Sequence, residues 1–78
     1  MTLKIISTED VLFQGEVTMV TLPGQMGEFT VLRNHASLVS TLVQGTVRYT
    51  TPDGESADID VAGGLVDVDN NVVSVCIY

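Results

Sequence analysis

The sequence predicts an all-β fold, an antiparallel sandwich or barrel. Three observations predict it: apolar residues recur at every second position, Val and Thr are abundant, and turn residues separate short alternating runs. Alternation with a period of two puts one set of side chains on a buried face and the other toward water. Nothing reads as helix.

Strands are expected at residues 3–7, 11–14, 16–22, 28–32, 38–43, 46–51, 55–61, 64–69 and 72–77. Val17, Met19 and Thr21 alternate with Thr18, Val20 and Leu22, and Val47 and Tyr49 with Thr46, Arg48 and Thr50. Ala57, Ile59 and Val61 alternate with Ser56, Asp58 and Asp60. Val66 and Val68 alternate with Asp67 and Asp69, and Val73, Val75 and Ile77 with Ser74 and Cys76. Gly15 reads as a turn before Val17, Pro23-Gly24 with Met26-Gly27 as a second turn, and Gly45 precedes Val47. In Pro52-Asp53-Gly54, proline presets φ and glycine accepts φ > 0, which reads as a tight hairpin. Asn70-Asn71 reads as another, because asparagine tolerates the left-handed region. Arg33-Asn34-His35-Ala36-Ser37 is the place for an irregular turn or a single helical turn, and Gly63-Gly64 for a bulge or sheet corner.

Seventy-eight residues make one domain, 1–78, with no linker or internal repeat. A chain this short buries only ~60% of the surface its unfolded form exposes. The one cysteine, Cys76, excludes an intramolecular disulfide, which fits a reducing compartment and a small packing residue. No apolar run approaches the ~18 residues of a membrane span, and the start lacks a secretory signal, so a cytoplasmic, soluble protein is expected. Ten acids face three bases, Lys4, Arg33 and Arg48, for a net charge of -7. That charge repels phosphate backbones, and with no basic stripe it argues against nucleic acid and for a basic partner surface.

The residues offer little chemistry. His35 lies near Ser37 and Ser40, but no nucleophile elbow accompanies it, and a histidine that bonds a loop or faces a partner is the better reading. Asp58, Asp60, Asp67 and Asp69 would gather on one face if their strands were neighbours. Calcium wants six to eight ligands from a shaped loop, which is absent here, so solvated strand faces are expected and no metal. Like charges set opposite one another cost stability, so the cluster is also a candidate to face basic partner residues. Gly24, Gly27 and Gly63-Gly64 lack the following helix and lysine of a nucleotide loop, so no cofactor is expected.

Several segments, in order, resemble the N-terminal domain of the epsilon subunit of F-type ATP synthases. Ser7-Thr-Glu-Asp-Val-Leu-Phe-Gln-Gly15 is similar to the family's opening hairpin, and Leu22-Pro-Gly-Gln-Met-Gly-Glu-Phe-Thr-Val-Leu32 to its Gly-Glu turn and following strand. Asn34-His-Ala-Ser-Leu-Val-Ser40 resembles its Gly-His-Ala-Pro-Leu-Leu-Thr segment, and Gly45-Thr-Val-Arg48 its Pro-Gly-x-Ile/Val-Arg strand. Val61-Ala-Gly-Gly-Leu-Val-Asp-Val68 and Asn71-Val-Val-Ser-Val75 resemble its closing strands. Any one piece is weak; order and spacing together are specific. The departures are Asn34 in place of glycine and Ser37 in place of proline, and they bear on fine loop geometry.

The resemblance implies a flattened antiparallel β-sandwich of about ten short strands. It implies a non-catalytic central-stalk subunit at the foot of the gamma subunit and on the polar loops of the c-ring, turning with them. Proton or sodium flow would drive the ring, with torque reaching the catalytic alpha/beta head through gamma. It also implies a peripheral position on the cytoplasmic face of a bacterial inner membrane. By position, Gly27 and Glu28 match the turn facing the c-ring, where Glu28 would accept hydrogen bonds or charge. Ser7, His35 and Ser40 match positions on or near the gamma-facing side; packing or turn roles are the plain alternative for all five. Many members continue into a two-helix C-terminal domain that can inhibit ATP hydrolysis. As written, the sequence stops at Tyr78, so the expectation is a rotor subunit without that domain or its inhibition.

Two other readings compete. A lipoyl- or biotinyl-type carrier domain is all-β and of this size, but needs a lysine at a hairpin tip, and the only lysine is Lys4 inside an expected strand. A small esterase would have to be built on His35. Val and Leu on both faces of the strands point to an outer surface covered by partners.

Overall fold

The computed structural model describes residues 1–78, with nine strands and no helix. In chain order they are β1 (Thr2–Ile6), β2 (Val11–Glu16), β3 (Met19–Gly24), β4 (Gly27–Leu32) and β5 (Leu38–Leu42). The others are β6 (Gly45–Thr50), β7 (Ser56–Val61), β8 (Gly64–Asp69) and β9 (Val72–Ile77). All nine belong to one curled sheet with the order β2-β1-β9-β8-β5-β3-β6-β7, and β4 on the side of β3. The curl makes two layers, β2-β1-β9-β8-β5 and β4-β3-β6-β7, in a body of 28 × 24 × 18 Å.

The all-β class is as expected. Its strands number nine, and one ladder, β1 with β9, is parallel. That pairing joins the two ends of the chain, Thr2 beside Val72 and Ile6 beside Cys76, and leaves no hairpin to announce it.

The alternation does what a period of two requires. Fifteen buried apolar residues form one core, with no buried polar or charged side chain among them. Leu3 and Ile5 of β1, Val66 and Val68 of β8, and Val73, Val75 and Ile77 of β9 meet Val20 and Leu22 of β3, Val31 of β4 and Val47 and Tyr49 of β6. Branched side chains dominate because they pack well on a pleated surface at low rotamer cost.

Two strands differ from the sequence reading by more than one residue at a boundary. Gly15 is no turn: it lies inside β2, opposite Leu3, and β2 runs on to Glu16. The expected strand 16–22 is broken at Val17-Thr18, and β3 begins at Met19 and reaches Gly24. Val17 and Val20 are both buried although three apart, which a single strand does not allow. Their backbones are held across the break, the Val17 N–H by the Met1 carbonyl and the Thr18 N–H by that of Thr50, each at 2.8 Å. A bulge shifts register between Ile5–Phe13 and Ile6–Val11, so Val11 and Leu12 are both exposed.

The seam between layers is at Pro23. There β3 stops pairing with β6 and meets β5 at one position, Gly24 opposite Leu42. Proline has no N–H to strand at such a changeover. Gly45 passes so close that a Cβ would sit 2.7 Å from the Pro23 Cβ. The turns follow the local chemistry. Asn70 and Asn71 take φ of 50° and 62°, a type I′ hairpin, and Gly54 takes φ of 87° in the β6–β7 turn. Asn34, in place of the family's glycine, takes φ of 64°. The segment 33–37 is an irregular turn.

Candidate functional site

The two outer faces of the sandwich are unlike. On the β4-β3-β6-β7 layer the outward side chains satisfy one another across the strands. Thr21 and Thr30 share a hydrogen bond of 3.0 Å, Thr50 and Ser56 one of 3.1 Å, and Thr46 donates to Asp60 at 3.0 Å. Arg48 donates to Asp58 twice, Nε at 2.7 Å and Nη2 at 2.9 Å. These bonds hold the Asp58 carboxyl below its ordinary range, while desolvation opposes them. The same bonds push the Arg48 guanidinium up, with Glu28 adding weakly in that direction.

The outer face of the other layer is mixed: Lys4, Asp67, Asp69 and Ser74 share it with exposed apolar side chains. Val39 is 73% exposed, Leu65 50% and Val72 45%, and Val11 and Leu12 stand at its β2 edge. By register Thr41, Leu65, Cys76 and Ile6 lie in one row across β5, β8, β9 and β1. At the end of that row Ile6, Ser7, Leu65, Cys76, Ile77 and Tyr78 line a hollow of about 300 Å³.

Gly27 and Glu28 open β4 beside the β3–β4 turn. Gly27 is at φ 123° and Glu28 pairs with Pro23 and is exposed. The turn's Met26, 98% exposed, is the most exposed large apolar residue, and Gln25 is tied to β5 through its N–H on the Thr41 carbonyl at 2.9 Å.

Ser7 closes the β1–β2 connection. Its Oγ accepts the Asp10 N–H at 3.1 Å, and its N–H donates to the Asp10 carbonyl at 2.8 Å. His35 is half-buried. Its N–H donates to the Leu32 carbonyl at 3.1 Å, and its Nδ1 lies 2.7 Å from the Ala36 carbonyl, which makes Nδ1 the protonated nitrogen in this arrangement. Ser40 is opposite Val66 and so lies on the inner side of β5, half-buried, with its hydroxyl on the Thr41 carbonyl at 3.2 Å.

These three are not brought together. Ser7 follows Ile6, which lies beside Cys76, whereas the loop of His35 is bonded to Asn71, just before Val72. Those are opposite ends of β9, on the order of 17 Å apart at ~3.3 Å per residue. Ser37 donates to Asp69 at 2.7 Å and not to His35, which leaves the esterase reading without its hydrogen bond. The four aspartates are separated too: Asp58 and Asp60 are on β7, which pairs with β6, and Asp67 and Asp69 on β8, which pairs with β5 and β9. Lys4 sits mid-strand in β1, opposite Gln14 and beside Ser74, and not at the hairpin tip a carrier domain needs.

Comparison with known proteins bears on these faces. Residues 1–77 match the family described as ATP synthase, Delta/Epsilon chain, beta-sandwich domain. The chain belongs to this family. An ATP synthase epsilon chain of Stenotrophomonas maltophilia (strain K279a) is 41% identical over 91% of this chain and 51% of its own length. An ATP synthase epsilon chain from a Nitratiruptor species is 45% identical over 88% of this chain and 54% of its own. The delta/epsilon sandwich here thus spans about half the length of these curated relatives. Its fold is shared with a chain of the Euglena gracilis mitochondrial ATP synthase (OSCP/F1/c-ring), with a TM-score of 0.90 at 23% identity, covering 96% of this chain and 48% of that one. It is also shared with a chain of the Tetrahymena thermophila mitochondrial ATP synthase central stalk/c-ring, at TM-score 0.82 and 12% identity, covering 99% and 62%.

The exposed apolar residues of this delta/epsilon sandwich were legible only in outline, as Val and Leu on both sides of the strands. Val39, Leu65 and Val72 become one face through the β5–β8–β9 register, which no local pattern specifies.

Proposed function

We propose that this chain is the sandwich of a non-catalytic central-stalk subunit of an F-type ATP synthase, joining the gamma subunit to the c-ring. The observation that carries the reading is the set of exposed apolar residues Val39, Leu65 and Val72 on one face of a chain of this family. Exposed apolar side chains grouped on one face and rimmed by polar residues mark a protein-binding face. Gamma is assigned to that layer, and the β3–β4 turn with Gly27 and Glu28 to the polar loops of the ring. A continuous set of paired strands transmits torque because every ladder resists shear along its hydrogen bonds. Attachment to the membrane is through the complex, on the cytoplasmic face of a bacterial inner membrane. The bacterial relatives named above support that placement.

Titration calorimetry of the chain against the gamma subunit of the same organism tests the proposal, with Val39→Arg as the face variant. Val39 is opposite Asp67, so the new cation gains a partner and the fold is kept. Saturable one-to-one binding, weakened at least tenfold by Val39→Arg, is expected. Absence of binding by folded wild-type chain overturns the reading. Ser40→Arg is a poor face variant, since it drives a long cation into the half-buried inner side of β5.

A further inference from the structure

The loop between β4 and β5 carries His35 and is fastened to the β8–β9 hairpin by side chains of the hairpin. The Asn34 N–H donates to the Asn71 Oδ1 at 2.7 Å, and the Asn71 Nδ2 returns a bond to the Asn34 Oδ1 at 3.0 Å. Three residues on, the Ser37 hydroxyl donates to the Asp69 Oδ1 at 2.7 Å. Asn34 and Asn71 are both at positive φ, 64° and 62°. The loop has one backbone bond of its own beyond its strands, His35 N–H to the Leu32 carbonyl. Without the hairpin's side chains the segment would keep that single turn, with only its two ends fixed, by β4 and β5.

We propose that Asn71 and Asp69 are positioning residues that hold the 33–37 loop, and His35 with it, in the one conformation a protein partner meets. The tie joins the second layer, through β4, to the first, through β8 and β9. Asn71 does not have to touch the partner; Asp69, opposite Val72, lies on the face given to gamma, so its part is read from loop exchange as well as from affinity. Each acts by removing loop conformations that would otherwise have to be frozen on binding, which raises affinity without adding a contact. The inference rests on the stalk reading for the identity of the partner, gamma, but the tie itself is a property of the free chain.

Asn71→Gly removes both amide bonds and keeps the positive φ in an Asn-Gly hairpin, the most favourable pair for a type I′ turn. Asp69→Ala removes the second tie, and Asp69→Asn keeps an acceptor for Ser37. Amide hydrogen exchange of the free chain and calorimetric affinity for gamma are read together, with a thermal melt confirming that each variant is folded. In Asn71→Gly, exchange at both Asn34 and His35 is expected to rise about tenfold, the effect of losing one or two hydrogen bonds of ordinary net strength. Gamma affinity should fall by a similar factor in Asn71→Gly and Asp69→Ala, and recover in Asp69→Asn. A rise at Asn34 with none at His35 means that the loop is not released, and overturns the proposal. So does a released loop with unchanged gamma affinity. Wild-type chain that does not bind gamma sinks the stalk reading and the partner with it, while the exchange data still decide whether the tie holds the loop.

Discussion

The rings of Phe13 and Tyr49 stand with centroids 4.2 Å apart at an angle of 35°. Phe13 comes from β2 at the edge of one layer and Tyr49 from β6 in the other, so the contact closes the sandwich where no ladder does. Gly15, on the same side of β2, leaves the room: a Cβ there would be 3.3 Å from the Phe13 Cζ. Phe13→Ala should cost ~3 kcal/mol. Against ~4–12 kcal/mol for a domain of this length, that leaves a marginal fold. Urea unfolding checks it. A loss under ~1 kcal/mol would mean that the edge collapses over the gap.

The two adjacent glycines at the crossover into β8 should respond differently to alanine. At Gly64 a Cβ would meet the Cys76 carbonyl oxygen at 2.2 Å and the Ile77 Cα at 3.0 Å, both backbone of the paired strand. At Gly63 the nearest atom is in the Tyr78 ring, at 3.1 Å, and an exposed ring can move. Gly64→Ala is expected to cost more than ~4 kcal/mol and to leave little folded protein, and Gly63→Ala about 1–3 kcal/mol. Soluble yield and thermal melts of the pair decide the order.

Asp58 makes part of the acid sensitivity. Arg48 lowers its pKa in the folded chain, so the pair contributes stability above the ordinary aspartate pKa and loses it as pH falls through the folded value. Arg48 stays charged throughout that range. Asp58→Asn should therefore melt below wild type near neutrality, with the gap closing toward pH 2–3 (roughly). The effect is small because both partners are exposed. A gap that widens in acid would contradict the assignment.

The Asn70-Asn71 hairpin predicts a side-chain preference. Asn70 sits at φ 50°, where a β-branched residue is strained. Asn70→Val should cost ~1–2 kcal/mol, and Asn70→Gly should be neutral to within ~0.5 kcal/mol, by denaturant midpoint.

Much of the candidate surface was hidden from a reading of the chain for the same reason in each instance. The resemblance groups Ser7, His35 and Ser40 on one side, yet the first two lie beside opposite ends of β9 and the third turns inward. The Asn34–Asn71 tie joins residues 37 apart in the chain. Gly15 reads as a turn because glycine usually makes one; here its missing side chain serves a ring from the same strand, and that ring meets its partner in another layer.

What the sequence determined by itself is what neighbours within a few residues decide. Alternation assigned the strands and their buried sides, and paired asparagines or Pro-Asp-Gly chose the turns, because φ preferences and a period of two act locally. The tertiary structure alone decided which strands meet. It set the parallel β1–β9 ladder, the single β3–β5 contact at Pro23, the separation of the four aspartates, and the gathering of Val39, Leu65 and Val72 on one face. Each of these depends on burying one shared core of fifteen side chains, and that choice is made over the whole chain at once.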